Sequence, residues 1–575
     1  MTPSIQPLAM RNFKLLLCLL LIILVHLSLD WFNNQPQQAG IDVPTGKLTS
    51  LSFSPFREGY SPLEEVFPLA EHIEEDMRLL ADKTWSIRTY SSLGGLEPSP
   101  ALARKYGLKM IQGCWLGYVS KDNHKEVEAL IKSANTNPDV VTRVIVGNEV
   151  LLRGEMDVDK LIGYIREVKR AVKQPVSYAD VWSMYMKYPK LIQEVDFITI
   201  HILPYWEDEP VAVANAGEHL EKVVKQVEDE ARGIAPGKPI LIGESGWPSA
   251  GRQRGLAVPG VVNAAKFNRD MIQVANRHHF DYNIVEAFNQ PWKSHLEGVV
   301  GANWGLFSAD REPVFPLTGP VNENPHWQLH FLESSLLWLL IVAAYAKKLR
   351  ELSVFRSILF LALSQVFSIC LVTLANFLWY TSYNQWQRSY MLFISCANAL
   401  LGAQLLQRSY ALLAKTPGSQ ALAERLRGLY LLFIVLALYK TYGLAVHGRY
   451  LSFPIEQFTL PVLGIFALIG LIALNERRFE LSTLRSDVLI GWNLHGHRDR
   501  LIAYALSFGI IAMILGETKA FMDGSDFIQA HPGVSAGLPF ALTYTLENQQ
   551  LVVWLGYLLS LSLPLWSKYS EKART

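Results

Sequence analysis

The chain has 575 residues and a formal net charge of +1; half of its residues are hydrophobic and only 18% are charged. That length exceeds one ordinary domain, the apolar content excludes a disordered chain, and the near-neutral balance gives no support to a nucleic-acid partner. Of the four cysteines, Cys18, Cys370 and Cys396 lie in apolar segments and Cys114 is alone in the water-soluble part, which excludes a disulfide framework there.

The first apolar run, Leu15 to Leu29, follows Arg11 and Lys14 and is not followed by a small-x-small cleavage site. It reads as a retained signal anchor. The chain then divides into a cytoplasmic tail with that anchor over 1–39, an exported soluble domain over 40–325, and a transmembrane region over 326–575.

In the soluble part, eight short apolar runs alternate with amphipathic stretches. Strands are expected at Leu48–Phe53, Ser86–Tyr90, Lys109–Leu116, Arg143–Val146, Val176–Tyr178, Phe197–Ile200, Pro239–Ile242 and Tyr282–Phe288. Helices are expected at Leu63–Lys83, His124–Ala134, Val158–Lys173, Ala216–Arg232 and Val261–His278. The fold class is therefore α/β: a (β/α)8 TIM barrel, followed by an all-α transmembrane bundle. Such barrels place catalytic groups at the C-terminal ends of their strands, and Glu149 and Glu244 fall just after the fourth and seventh.

Two carboxyls facing one sugar are what retaining glycosidic cleavage needs: an acid to protonate the leaving oxygen and a nucleophile to attack the anomeric carbon, about 5 to 5.5 Å apart. Asn148, beside Glu149, is placed to hydrogen-bond a hydroxyl next to the reacting carbon, a contact that strengthens in the transition state. Arg88, on the second strand, can hold a neighbouring carboxylate ionised. Trp182, Trp206, Trp247, Trp292 and Trp304 offer faces for sugar rings, two or three of them in the cleft and the rest in the core. Tyr178, Asp180 and Asn289 are candidate hydroxyl ligands.

The segments ILIGESGWPSAG (Ile240–Gly251) and VIVGNEVL (Val144–Leu151) resemble the nucleophile and acid/base signatures of glycoside hydrolase family 17. The resemblance extends through SFSPFREG, IHILPYWED and EAFNQPWKSHLEGVVGANWGLF, the last being closest to bacterial members. It implies a (β/α)8 barrel, retention of configuration and β-1,3-glucan or its oligosaccharides as donor and acceptor. It also implies, for bacterial members, transfer of a glucan segment to another glucan in periplasmic synthesis or remodelling, alongside hydrolysis as in an endo-β-1,3-glucanase. Lys293 and Glu297 sit where members of that family carry a Lys and a Glu near the acid/base, and His201 and Tyr205 where related barrel glycosidases orient the nucleophile.

The remaining chain suggests seven further spans of about 20 residues each, from Leu329 to Trp566. Lys347, Lys348, Arg350 and Arg356, then Arg408, Lys415, Arg425 and Arg427, then Arg477, Arg478, Arg485, Arg498 and Arg500 fall in alternate loops, and Lys568, Lys572 and Arg574 close the chain. Such alternation marks the cytoplasmic side, giving a bacterial inner-membrane protein with both termini inside and the barrel outside. Lys440 lies within a span, where an ionisable group is either functional or snorkels to the outer interface. The pair in HGHRDR, His495–Arg500, is too sparse for a metal site. Neither a cofactor nor a metal is expected. The partners expected are the glucan, the lipid bilayer and a separate membrane glucan synthase. The alternative reading is a non-catalytic glucan-binding or export subunit of that synthase.

Overall fold

The computed structural model describes residues 8–44, 46–492 and 498–566. His495 and His497, the pair in HGHRDR, and the closing basic residues Lys568, Lys572 and Arg574 lie outside them. The chain forms two compact units, one made of Pro36–Glu323 with Phe521–Glu547 and the other of the remaining segments.

The first unit is a closed barrel of eight parallel strands in sequential order. They are β1 (Leu48–Ser52), β2 (Thr84–Arg88), β3 (Lys109–Cys114), β4 (Val141–Asn148), β5 (Val176–Val181), β6 (Ile198–His201), β7 (Ile240–Ser245) and β8 (Asp281–Ile284). All eight expected strands are present, and β1 closes on β8 through Leu51 and Ile284. Helices such as Ser120–Thr136, Val158–Ala171, Val213–Ile234 and Val261–His278 cover the outside, each burying one apolar stripe. Asp157 caps the second of these by accepting from the Asp159 and Lys160 amides.

Strand registers shift between Ile145 and Asn148, between Ile200 and His201, and between Ile242 and Ser245, all at the C-terminal ends of β4, β6 and β7. Such irregularities re-aim side chains locally. The β6–β7 register sets His201 directly beside Glu244. Glu244 accordingly lies inside β7 rather than after it.

In the same unit, Asp76 is fully buried between two arginines, Arg57 at 3.0 Å and a bidentate Arg311 at 2.6 and 2.8 Å. Arg311 in turn lies over the Phe288 ring at 4.4 Å.

Seven described helices are long and apolar enough to cross a membrane: Phe13–Asn33, Trp327–Leu349, Val354–Tyr380, Gln385–Ala414, Gln420–His447, Ile455–Glu476 and Asp499–Met522. The last expected span is a helix too, Gln549–Trp566, of 18 residues, about 27 Å long at the helical rise. Several polar side chains inside this helical unit bond to backbone carbonyls: Trp338 Nε1 donates to Leu361 O, Arg408 to Leu489 O, and Asn398 Nδ2 to Gln457 O. Lys440 Nζ lies 4.5 Å from the centre of the Tyr390 ring, a cation–π contact.

Replacing Asp76 with Ala leaves the largely buried Arg311 without its carboxylate, while Arg57 keeps Glu75 at 2.7 Å. The expected outcome is a loss of about 3 kcal/mol in unfolding free energy, read by denaturant titration of the purified chain, with Asp76→Glu closer to wild type.

Candidate active site

At the end of β4 the backbone turns sharply: Gly147 has φ +85° and Glu149, not a glycine, has φ +52°. A left-handed glutamate is uncommon and must be held by its surroundings. Its amide donates to Ala179 O at 2.8 Å, its carbonyl accepts from the Arg153 amide, and Arg153 Nη1 donates to Asn148 O at 2.6 Å. The turn throws the Glu149 carboxyl into the barrel mouth, where it is 23% exposed.

Glu244 faces it from β7. His201, fully buried, stands between them, with Nδ1 2.8 Å from Glu149 Oε1 and Nε2 3.4 Å from Glu244 Oε1. Carboxylate and imidazole atoms of all three lie within 4.8 Å of one another. Arg88 Nη1 is 3.2 Å from Glu244 Oε1 and donates to Gly243 O at 2.8 Å, and its Nη2 donates to Asn148 Oδ1 at 2.6 Å. A guanidinium only donates, so this bond fixes the Asn148 oxygen inward and leaves its NH2 toward the cleft. Two carboxylates and an imidazole can ligate a metal ion, but the Arg88 charge occupies the same neighbourhood and opposes a second cation there.

Burial pushes the Glu149 carboxyl upward, but the His201 hydrogen bond and charge, with Arg153 and Arg88, outweigh it and hold Glu149 below the ordinary range. Next to this pair, Lys293 contacts Glu286. Burial disfavours the Lys293 charge, yet Glu286 and Glu297 more than offset that and raise it. Burial and nearby carboxylates push Glu286 up to about 7 despite Lys293. Glu297 rises as well, through burial and then the Glu149 and Glu244 charges, against Lys293. Arg88, Asn148, His201, Lys293 and Glu297 are thus brought into one electrostatic unit with the two glutamates.

Other expected site residues are placed differently. Tyr178 and Asp180 are fully buried and bonded to each other; Tyr178 Oη also accepts from the Leu151 amide, so the pair props the turn that carries Glu149 from beneath. Asn289 spends its side chain inside its own loop, donating to Asn303 Oδ1 and accepting from the Gly305 amide. The Tyr205 hydroxyl donates to Arg252 O, and its buried ring packs among Trp206, Trp247 and Trp304. Trp247 is wholly buried with Nε1 on Val258 O, and Trp304 is buried too. Trp182, Trp206 and Trp292 are half-buried.

Two residues escaped the sequence reading. Tyr90 underlies Arg88 at 4.8 Å, donates to Ser52 Oγ and feels the Glu244 charge. Glu286 pairs with Lys293 at the end of β8. The signal for Tyr90 was period two: residues 88 and 90 share a face of an extended chain. Trp115, 42% exposed just after β3, also reaches this rim, with the Arg153 guanidinium 4.4 Å from its ring.

Residues 50–305 match the family model described as the BtgE/BtgC glycoside hydrolase domain. A glucan 1,3-beta-glucosidase of Arthroderma benhamiae is 30% identical over 266 residues, 44% of this chain and 85% of that protein. A probable beta-glucosidase of Neosartorya fischeri is 31% identical over 231 residues, 38% of this chain and 39% of that protein, so this chain spans about two fifths of its length. Among solved structures, a glycoside hydrolase family 17 beta-1,3-glucanosyltransferase from Rhizomucor miehei is 28% identical, with 47% of this chain and 98% of that one covered and a TM-score of 0.41.

Burial and the Glu149 charge raise Asp180 to about 7, against the Tyr178 hydrogen bond. A carboxyl raised on folding contributes stability below its unfolded pKa and loses it as pH rises through the folded value. Asp180→Asn is therefore expected to flatten the fall in stability between about pH 4 and 7. Thermal midpoints recorded across that window test this, and an unchanged slope would refute it.

Proposed function

The chain belongs to glycoside hydrolase family 17, and on that premise we propose that its barrel cleaves β-1,3-glucan with retention and passes the glycosyl segment to another glucan or to water. The observation that supports this is the approach of the Glu149 and Glu244 carboxylates to within 4.8 Å. Retaining enzymes hold their carboxyls about 5 to 5.5 Å apart, whereas inversion needs about 6.5 to 9.5 Å to seat a water.

In this reading Glu149 protonates the glycosidic oxygen as the Glu244 carboxylate attacks the anomeric carbon, forming a covalent glycosyl-enzyme. Glu149, now ionised, then takes the proton from an acceptor hydroxyl, whose oxygen displaces Glu244 with net retention. Arg88 holds the Glu244 carboxylate in place, and the outward Asn148 NH2 meets the 2-hydroxyl, where charge development strengthens the bond. The low-lying Glu149 suits the second, basic step. The first step needs its proton restored, which follows when a bound sugar excludes water and desolvation disfavours the charged carboxylate. Whether water or sugar accepts depends on the rim, where the faces of Trp115 and Trp292 can hold an acceptor.

We place the barrel on the exported face of a bacterial inner membrane, with both termini inside. The alternate loops rich in Lys and Arg support this. Parity is consistent with the segment and the barrel sharing one side, whichever it is: among the described residues six apolar helices follow the barrel before Phe521–Glu547, an even number of crossings, and that segment belongs to the barrel's unit.

Glu149→Ala and Glu244→Ala should each lower kcat on β-1,3-gluco-oligosaccharides by about a thousandfold or more with the fold intact. Added azide should rescue Glu149→Ala to a β-glycosyl azide and Glu244→Ala to an α-azide. Full activity in either variant would sink the assignment. His201→Asn removes the interactions that lower Glu149. Because the acid limb of catalysis ends when Glu149 ionises, the alkaline side of the kcat/KM profile should move to higher pH; a shift to lower pH would contradict this reading.

A further inference from the structure

Among the described residues of the barrel unit two tryptophans are exposed, Trp85 at 60% and Trp115 at 42%. Trp85 lies near the start of β2, at the end of the barrel away from the two glutamates. Trp115 follows β3 directly, at the end where they lie. A single exposed ring on a water-soluble unit is ordinary. What sets Trp115 apart is that side chains from two other elements hold it.

The first is Glu126, from the helix Ser120–Thr136. Its Oε2 accepts from the Trp115 and Ser92 amides, each at 3.2 Å, and its Oε1 from Ser91 Oγ at 2.5 Å. One carboxyl thus pins the loops after β2 and β3 together. The second is Arg153, whose guanidinium lies over the Trp115 ring at 4.4 Å. Its Nη2 donates to Leu116 O at 3.2 Å and its Nη1 to Asn148 O at 2.6 Å, so the ring is tied to the turn that carries Glu149. Among the described residues no other ring or cation meets Trp115, and it joins no apolar cluster of the barrel, so the face turned from Arg153 is the open one. An indole backed by a guanidinium on one side is a fixed, flat surface of the kind that a pyranose ring covers.

We infer that Trp115 is the acceptor platform for β-1,3-gluco-oligosaccharides, and that it sets how the glycosyl-enzyme partitions between sugar and water. This deepens the glucan reading above and rests on it. The acid/base carboxyl protonates the leaving oxygen, so the side of the cleft it stands on holds first the leaving group and then the acceptor; Trp115 is one side chain away from that turn. Water and sugar react alike: an oxygen bonds to the anomeric carbon, the ester bond to Glu244 breaks, and the proton passes to Glu149. A pyranose seated on the open face of Trp115 changes only which hydroxyl waits there, raising its effective concentration against water. Glu126 is a positioning residue that acts through the ring.

The test uses the full chain in detergent, with a β-1,3-linked hexasaccharide as donor and a β-1,3-linked trisaccharide, reduced to its alditol, as acceptor below saturation. Transfer and hydrolysis products are separated and their ratio taken; both drain one intermediate, so a partial loss of folded enzyme leaves the ratio unmoved. Trp115→Ala is expected to lower it about tenfold. Trp115→Phe, which keeps a flat face, should recover most of it, and Trp85→Ala should leave it at the wild-type value. Glu126→Ala should lower it as well, yet add nothing to Trp115→Ala; a further fall in the double variant would overturn its positioning role. An unchanged ratio in Trp115→Ala, or an equal fall in Trp85→Ala, would overturn the inference. So would a wild-type chain that hydrolyses the donor with no transfer, which leaves glucan cleavage standing. A wild-type chain inert on the donor would overturn the glucan reading and this inference with it.

Discussion

A single buried cation organises the barrel mouth. Arg88 is 1% exposed and cannot shed its charge, so it has to be paired where it lies. Its partners come from strands far apart in sequence, the Gly243 carbonyl and Glu244 from β7 and Asn148 from β4, with Tyr90 beneath it. The bond to Asn148 settles which end of that amide meets the cleft, and the bond to Glu244 fixes one carboxylate. Gly243 must lack a side chain for this to happen, since a Cβ there would stand 2.4 Å from Thr199 Cγ2 and 3.5 Å from Arg88 Nη1.

Around that cation the site alternates in charge. His201 separates the two central carboxyls, and Lys293 separates Glu286 from Glu297. His201, Arg153 and Arg88 outweigh burial at Glu149, whereas burial prevails over Lys293 at Glu286 and Glu297. The result is a spread of proton affinities within one cavity, with Glu149 low and Glu286 and Asp180 near neutrality.

The strained turn at Glu149 shows how support is layered. Tyr178 and Asp180 look like sugar ligands from their place on β5, yet they hold the amide of Leu151 from below. Arg153 holds the Asn148 carbonyl from the side and carries Trp115 on its face. Polar groups beneath the site keep a left-handed glutamate in place, and the rim aromatics are tied to the same scaffold.

The sequence by itself determined the eight strands, because alternation of apolar runs with amphipathic stretches is local, and it pointed to Glu149 and Glu244, because each sits in a short motif at a strand end. It also marked the apolar helices, whose length and composition need no partner to be seen. Only the tertiary structure decided where Tyr205, Trp247 and Asn289 spend their polar atoms, since Arg252 O, Val258 O and the amide of Gly305 are brought to them by the fold. It alone decided that Tyr90 and Glu286 join the site, and that Phe521–Glu547, apolar and flanked by spans, belongs with the barrel. The physical reason is the same in each case: residue type and periodicity set which face a side chain leaves from, but one-residue register shifts at the ends of β4, β6 and β7 and contacts between distant segments set what it meets.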